Sequence, residues 1–240
     1  MTVQTISINS SKILSDNRLS PKVFIINDYL DKFEKKNNFK CIRFGDPEFL
    51  HKMTDGEHAG QTFVKQGIKF IKNSDVRDFN IDLSEDFYIS EEKHKMLKRS
   101  ALKDGDILFT TIGHLGSAAL VPKNFGEANI NQNLVLVRIN EKILSKHFLV
   151  PYLNSRIVKK QIYAILTGNI HSILTYPKIK SIRIFLPSKS FHKKIVELYE
   201  KFIKIEKESN DLISESIELF YEKFSISEKK QKIFEVNSNS

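Results

Sequence analysis

The side chains best suited to chemistry in this chain are hydrogen-bonding groups in three segments that contain glycine: residues 56–69, 110–117 and 167–172. Glutamine, asparagine, histidine, threonine and lysine carry donors and acceptors that can pair with a polar ligand. Glycine between apolar runs is typical of turns and loops. The three segments therefore predict a recognition surface built from loops.

The sequence does not predict a catalytic centre. The seven histidines are dispersed, with no two four residues apart, and Cys41 is the only cysteine, so we expect neither a metal site nor a disulfide. A methyltransferase would need a glycine-rich cofactor loop after a strand and an Asn/Asp-Pro-Pro-aromatic motif, and both are missing. Three Glu-x-Lys matches, at residues 34–36, 91–93 and 228–230, are typical chance products of a lysine-rich chain. We expect a protein without catalysis or a cofactor.

The charge of the chain is strongly positive. There are 38 Lys and Arg residues against 29 Asp and Glu residues, which gives a formal net charge of +9. Such a surface suits a polyanion, because cationic side chains near phosphates release condensed counterions. A lysine-rich composition of the kind that A/T-rich genomes produce explains the charge equally well. The charge alone therefore leaves both interpretations open.

No stretch of the chain approaches the length of an apolar membrane span, and the first residues lack a basic region followed by an apolar run. We therefore expect a protein that is neither exported nor membrane-embedded. The single cysteine agrees with the reducing cytoplasm.

The loops need a framework, and its centre is a predicted β-hairpin. Asp104-Gly105 signals a tight turn, residues 107–112 and 118–121 are apolar strand candidates, and Gly113-x-x-Gly116 turns the chain between them. Residues 54–66 are polar and aperiodic, which predicts a long loop. Further strands are expected at 39–44, 68–71, 133–139 and 181–186, and helices at 21–36, at 93–99 after the Ser90 cap, and after Ser145 and Ser155.

Residues 191–224 form one helical pattern without glycine or proline. A helix of this length extends about 50 Å, which is farther than one domain of this size can cover. Its apolar residues recur at steps of three and four, which predicts a coiled-coil seam, although packing on its own domain would produce the same stripe. The seam residues are Ile195, Leu198, Phe202, Ile205, Leu212, Ile213, Ile217, Phe220 and Phe224.

Several passages carry a family resemblance through their order and spacing. They are Thr54-Asp55-Gly56-x-His58, Gly67-Ile68-x-Phe70-Ile71, Tyr88-Ile89-Ser90-Glu91-Glu92, Leu102-Lys103-x-Gly105-Asp106-Ile107-Leu108, Asn131-Gln132, Tyr152-Leu153-Asn154-Ser155, Thr167-Gly168 and Ile184-x-Leu186-Pro187. Together, over residues 19–224, the chain resembles the target-recognition domain and following helix of the specificity (S) subunits of type I restriction-modification systems.

The resemblance implies an α+β target-recognition domain with a small mixed or antiparallel sheet and flanking helices, followed by a long coiled-coil-forming helix. We expect an arm at 1–20, the domain at 21–187, the helix at 188–226 and a disordered tail at 227–240. The family carries two such units in tandem, whose helices pair antiparallel and space two DNA half-sites. With one domain and one helix, this chain resembles a half-subunit. Two copies would then form a homodimer on an inverted-repeat, bipartite site.

The implied partners are double-stranded DNA, an adenine methyltransferase (M) subunit and, in systems that contain one, a restriction (R) subunit. Base readout needs paired donors and acceptors on protruding loops, whereas phosphates need cations. Base-reading candidates are His58, Gln61, Thr62, Lys65, Gln66, Lys69, Thr111, His114, Ser117, Asn169 and His171. Phosphate-binding candidates are Lys93, Lys95, Lys98 and Arg99. We expect Asn131 and Gln132 to be buried and structural.

Two alternatives remain open from the sequence. The chain could be a solitary or fragmentary specificity module, such as a decoy or part of a methyltransferase-only system. It could also be an interaction protein that works through its long helix and reads no DNA. DNA affinity that falls with salt would exclude the latter.

Overall fold

The computed structural model describes residues 21–57, 62–82, 87–166 and 173–224. The predicted arm and tail, and the candidates His58, Gln61, Asn169 and His171, lie outside these residues. The chain divides into two compact units, Met1–Val196 and Glu197–Ser240. Small sheets, short helices and one long helix confirm the predicted α+β class.

The described residues contain six α-helices and nine strands. The helices are α1 (Pro21–Asn37), α2 (Glu91–Met96), α3 (Lys146–Leu153), α4 (Arg156–Ile165), α5 (Tyr176–Lys180) and α6 (Lys189–Lys223), with a 3₁₀ turn at Lys98–Ser100. The strands are β1 (Lys40–Arg43), β2 (Leu50–Asp55), β3 (Ile68–Ile71), β4 (Tyr88–Ile89), β5 (Ile107–Thr110), β6 (Ala118–Leu120), β7 (Ala128–Ile130), β8 (Leu134–Ile139) and β9 (Arg183–Leu186).

The central sheet is antiparallel, in the strand order β2-β8-β5-β6. Residues 134–137 of β8 are buried on both faces of the sheet, as the continuous apolar run predicts. Leu108 of β5 lies opposite Leu136 of β8, and both are fully buried. The predicted hairpin is confirmed, because β5 and β6 pair directly and the glycine-containing turn joins them.

Two smaller sheets flank the central one. In the order β4-β3-β7, strands β3 and β7 are parallel and β3 and β4 are antiparallel, while β1 pairs with β9. Helix α1 packs on α4 and β9 through Ile26, Leu30, Ala164 and Phe185. These apolar contacts explain the amphipathic pattern that predicts α1.

An ion pair with a buried carboxylate fastens the turn before β5 to β8, near the end of that strand. Arg138 donates from Nε and Nη2 to the two carboxylate oxygens of Asp106, at 2.6 and 2.7 Å. The same carboxylate accepts the Lys103 backbone N–H at 2.8 Å, and Asp106 is only 4% exposed. Bidentate, charge-assisted bonds of this kind are directional, so they set the position of the turn as well as stabilising it.

Several local predictions are confirmed and others are wrong. Helix α1, strands β3, β5, β6 and β8, and the Ser90 cap, whose hydroxyl accepts the Lys93 N–H, are confirmed. The predicted loop at 54–66 begins too early, because Thr54 and Asp55 belong to β2. The sequence also missed β2, β4, β7 and α5. Two- and three-residue strands carry too few positions for a period, and they form because distant segments pair with them.

Helix α6 runs for 35 residues, as its uninterrupted pattern predicts, and begins two residues earlier than expected. The Ser188 hydroxyl lies 3.4 Å from the Phe191 N–H, where an N-cap acceptor belongs. Among the helices described, none combines the length and apolar character needed to cross a bilayer.

We predict that Asp106→Asn lowers the free energy of unfolding by about 2–3 kcal/mol, because it leaves the Arg138 guanidinium without its charge partner. Urea unfolding followed by near-ultraviolet circular dichroism measures the change. Asp104→Asn is the matched control. Asp104 is exposed and keeps an oxygen acceptor for the Asn124 N–H, so we expect a change below about 0.5 kcal/mol. Equal losses in the two variants would contradict a special role for the ion pair.

Candidate nucleic-acid interface

The first loop leaves the framework at Gly56, where the backbone is tightly enclosed. A Cβ atom on Gly56 would lie 1.7 Å from the Ile130 carbonyl oxygen, so only glycine allows this approach. The Gly56 N–H donates to the Asn131 carbonyl and the Glu57 N–H to the Ile130 carbonyl, each at 3.2 Å. The base of the loop is therefore joined to the end of β7.

The hairpin turn is held by hydrogen bonds from its own side chains. The Thr110 hydroxyl donates to the His114 carbonyl and accepts the Ser117 N–H at 2.9 Å. The Thr111 hydroxyl and N–H both donate to the Asn133 carbonyl at 3.0 Å. These bonds satisfy the backbone of a buried turn and leave His114 exposed at its tip.

Asn73 joins the hairpin turn to the neighbouring strands. Its side-chain amide donates to the Ile112 carbonyl at 3.4 Å, and its oxygen accepts from the amides of Asn131 and Asn133 at 3.1 and 3.4 Å. Asn131 organises this junction, in agreement with its expected structural role, but the expectation that Asn131 and Gln132 are buried is wrong, because both are half-buried. An asparagine can do so because it carries donors and an acceptor on one planar group.

The segment that follows the third predicted loop contacts both other loops. The Leu174 N–H donates to the Thr111 carbonyl at 3.0 Å, next to the hairpin turn. Two residues later, the Tyr176 hydroxyl accepts the Asp55 N–H, next to the base of the first loop. The structure thus joins the bases of the first loop and of the hairpin turn to the segment that follows the third predicted loop, whose residues 167–172 lie outside the described part of the chain.

The individual base-reading candidates differ in accessibility. Thr62, Lys65, Gln66 and His114 are exposed. Lys69 is partly buried, with its amine 5.2 Å from the centre of the Phe125 ring.

Thr111 and Ser117 are only 5% and 4% exposed. Their bonds to backbone hold the turn, so the expectation that they protrude toward a ligand is wrong. The polar residue types indicated a loop but could not reveal which side chains turn inward.

The basic helix α2 and the 3₁₀ turn after it carry the phosphate candidates. The Lys93 amine lies 3.9 Å from the Glu57 carboxylate, and the Lys95 amine 4.0 Å from that of Glu91. Lys98 is exposed. Such distant, solvated pairs contribute little stability and leave the lysines available to a stronger anion.

Arg99 is held differently from the lysines. Its Nη1 donates to the Asp55 carboxylate at 2.6 Å and to the Thr54 hydroxyl at 2.8 Å, and its Nη2 donates to the Gly56 carbonyl at 3.2 Å. The hydrogen bond to Asp55 raises the pKa of Arg99, so its charge persists throughout the physiological range.

Burial, followed by the nearby Asp55 charge, raises the pKa of Tyr176. The Tyr176 hydroxyl therefore stays protonated near neutral pH. Burial and the charge of Arg138 lower the pKa of Lys52, which neighbours the ion pair of Asp106 and Arg138.

Asn73, Asn129 and Tyr176 organise the candidate site, and the sequence did not identify them. Asn129 is fully buried and donates to the Leu97 carbonyl at 3.0 Å, and its side-chain oxygen pairs with His94 of α2. It thereby fastens the basic helix to β7. No local signal marks such residues, because each acts on a segment at least thirty positions away. In the described part of the chain, no three His, Cys, Asp or Glu side chains form a group that could hold a metal ion.

A rigid β framework that presents exposed polar loops beside a basic helix is typical of domains that recognise DNA. Over residues 54–218, the chain matches the family described as type I restriction modification DNA specificity domain. The match covers more than half of the chain, which therefore belongs to this family.

This chain covers only part of the length of each relative that it matches. The chain is 27% identical over 157 residues to the specificity subunit of the type I restriction enzyme EcoBI from Escherichia coli, covering 63% of this chain and 32% of that subunit. Its fold is similar to a type I S subunit from M. genitalium, with a TM-score of 0.52 and 14% identity over 76% of this chain and 44% of that one. The type IIG restriction endonuclease BpuSI is similar at a TM-score of 0.53 and 11% identity, over 76% of this chain and 28% of that one. The chain thus spans less than half the length of these proteins.

We predict that Gly56→Ala lowers the free energy of unfolding by about 3 kcal/mol, because a methyl group would force the base of the first loop away from the end of β7 and break the two backbone bonds that join them. Urea unfolding measures the loss. Gly126→Ala is the control, since Gly126 has open space around its Cα and a φ of +85°. It should lose about 1 kcal/mol from backbone strain alone. Equal losses would show that the approach of β7 does not require glycine.

Proposed function

We propose that this chain is a non-catalytic specificity subunit of a cytoplasmic restriction-modification system. It binds double-stranded DNA at a defined sequence and directs an adenine methyltransferase subunit to that sequence. In systems that contain a restriction subunit, it directs that subunit as well. Membership of the DNA specificity domain family supports the proposal. DNA is the proposed primary ligand of the chain.

The observation that carries the proposal is the junction, on one framework, of the bases of the first loop and of the hairpin turn with the segment that follows the third predicted loop. Asp55, Thr111 and Asn73 supply bonds that fix these segments. Such a base allows loop tips to differ in sequence without disturbing the sheets. Base recognition needs side chains held in place by a rigid scaffold, and this arrangement satisfies that requirement.

The exposed polar residues suit the chemistry of a DNA groove. Gln66 can pair with adenine through its amide, and Lys65 can pair with guanine acceptors. Thr62 and His114 can donate to base edges or phosphate oxygens. We also propose that His58, Gln61, Asn169 and His171 contribute, because they belong to the same loops.

The lysines of the basic helix are proposed as phosphate contacts. Lys95 and Lys98 are exposed, and Lys93 lies at the edge of the first loop. Each lysine that neutralises a phosphate releases counterion and adds to the salt dependence of binding. Phosphate contacts would set the register of the domain on DNA, while the loops would read the bases.

We further propose that the chain forms a homodimer through α6, within a domain plan of 21–187 for recognition and 188–226 for the pairing helix. The first unit ends at Val196, inside this helix, and the second unit begins at Glu197. Along the second unit the helix exposes apolar side chains in a row. Those from the predicted seam are Leu198, Phe202, Ile205, Leu212, Ile213, Ile217, Phe220 and Phe224, with Leu219 and Tyr221 beside them.

An exposed apolar stripe of this length favours burial against a second helix. Pairing two copies antiparallel would place two recognition domains about a helix length apart and related by twofold symmetry. The target would then be an inverted repeat with a spacer. Ile195, which is half-buried in the first unit, would lie at the edge of this seam.

We expect the purified protein to select a bipartite inverted-repeat motif from a pool of random DNA duplexes, with and without the methyltransferase subunit. Sequencing of the retained duplexes measures the motif, and the affinity for it should fall steeply as salt rises. Selection of a single asymmetric half-site would support sequence-specific DNA binding and contradict the homodimer. No enrichment in either condition, with affinity indifferent to salt, would contradict the proposed function and favour a helix-mediated interaction protein.

We predict that Leu212→Glu converts the dimer to a monomer at micromolar concentration, because it places one carboxylate from each copy into the apolar seam. Sedimentation equilibrium measures the mass, and the selected motif should shrink to one half-site. Leu212 is 65% exposed, so the change should leave folding of the monomer unaffected.

The matched control is Ser214→Glu, which adds the same charge on the opposite side of the helix, where the residue is exposed. This variant should remain dimeric and select the complete motif. A wild-type protein that is monomeric both alone and with DNA would contradict pairing through α6.

A further inference from the structure

We propose that Arg99 is a positioning residue that sets the geometry of the first recognition loop, and that it does not bind phosphate. This inference rests on the proposed function and identifies what controls the specificity of the same site. It replaces the sequence-based expectation that Arg99 acts as one more cation beside Lys98.

The guanidinium of Arg99 contacts three consecutive residues at the point where β2 becomes the loop. It donates to the Thr54 hydroxyl, the Asp55 carboxylate and the Gly56 carbonyl. Lysine has a single ammonium group, whereas the planar guanidinium presents donors in a fixed fork. Three contacts from one rigid group constrain the direction in which the loop leaves the strand.

The same short segment is fixed from two other sides. The end of β7 accepts the N–H groups of Gly56 and Glu57, and the Tyr176 hydroxyl accepts the N–H of Asp55. Thr54 is itself only 6% exposed. Arg99, Tyr176 and the end of β7 together enclose residues 54–57. This enclosure joins the base of the first loop to the basic turn after α2 and to the segment that follows the third loop.

The local charge disfavours a phosphate at Arg99. Its guanidinium charge is balanced by the Asp55 carboxylate at 2.6 Å, and a DNA phosphate near the pair would meet a negative group of like charge. Lys98 and Arg99 are both exposed, but Lys98 has no such bonded carboxylate among the described ion pairs. The two adjacent cations thus have different physical environments.

A change in loop direction should affect recognition more than general affinity. Thr62, Lys65 and Gln66 lie 6–10 residues beyond Gly56. Base readout needs side chains within about 0.5 Å of the productive geometry, so a small rotation at the base removes it. Phosphate contacts from the lysines tolerate such a shift, because ammonium groups act as point charges on flexible stems.

The test compares Arg99→Gln with Lys98→Gln, two adjacent substitutions that remove the same charge. For each variant we would measure affinity for the selected duplex and for a scrambled duplex over a range of salt. Arg99→Gln should reduce the ratio of the two affinities by about 10-fold or more, with an unchanged salt slope. Lys98→Gln should reduce the salt slope by about 0.9 and keep the ratio. Arg99→Lys, which retains a cation without the fork, should lose discrimination almost as fully as Arg99→Gln.

Hydrogen exchange provides a readout that does not require DNA. The N–H groups of Asp55, Gly56 and Glu57 are all hydrogen-bonded at this enclosure, so Arg99→Gln should accelerate their exchange at least about 10-fold, while the amides of β8 keep their protection. Lys98→Gln should leave the exchange of all these groups unchanged. General loss of structure would instead accelerate exchange in β8 as well.

The outcomes separate the two proposals. A reduced salt slope with intact discrimination in Arg99→Gln would overturn the positioning role, as would unchanged exchange at residues 55–57. If the wild-type protein binds no duplex, the proposed function fails, and the exchange measurement alone decides whether Arg99 positions the loop.

Discussion

The ion pair between Asp106 and Arg138 is the interaction on which most of the domain depends. It joins the turn that starts the central hairpin to the strand buried in the middle of the main sheet. Because the pair is bidentate and the carboxylate also accepts a backbone N–H, the hairpin has one preferred position on β8. The position of the hairpin on β8 in turn sets the positions of the strands that carry the loops.

Hydrogen bonds from polar side chains fix the bases of the loops, but several of the described loop residues beyond the bases are exposed. Asn73, Thr111 and Tyr176 bond to backbone at the ends of the loops, while Thr62, Gln66 and His114 remain exposed beyond them. Buried hydrogen bonds to backbone are directional and costly to lose, so the bases are rigid. Substitutions at exposed loop tips carry no such penalty, so a family of DNA-binding domains can vary these residues while keeping its fold.

The long helix poses a separate physical problem. An α-helix of 35 residues extends about 50 Å, which is farther than one domain of this size can cover. Within the second unit of the chain, the apolar side chains of the predicted seam are exposed. An exposed apolar surface favours association. The antiparallel homodimer proposed above relieves that exposure and, by the same geometry, sets the separation of two half-sites.

The sequence by itself determined the elements whose signals are local. The periodic apolar residues of α1, the glycine turn between β5 and β6, the continuous apolar run of β8 and the unbroken pattern of α6 all predict structures that the chain forms. Of the candidate site, it indicated the hairpin turn, the basic helix and the exposed Thr62, Lys65, Gln66 and His114, while the third predicted loop at 167–172 stays a prediction. Local signals suffice here because turn chemistry and periodicity act over a few residues.

Only the tertiary structure decided which polar residues face outward and which hold the framework. Short strands β4 and β7 exist because distant segments pair with them, and Thr111 and Ser117 are buried because their turn folds back on the sheet. Arg99 looked like one more surface cation, yet its three acceptors lie more than forty residues away along the chain. Such roles depend on contacts between remote segments, which no local pattern of residue types encodes.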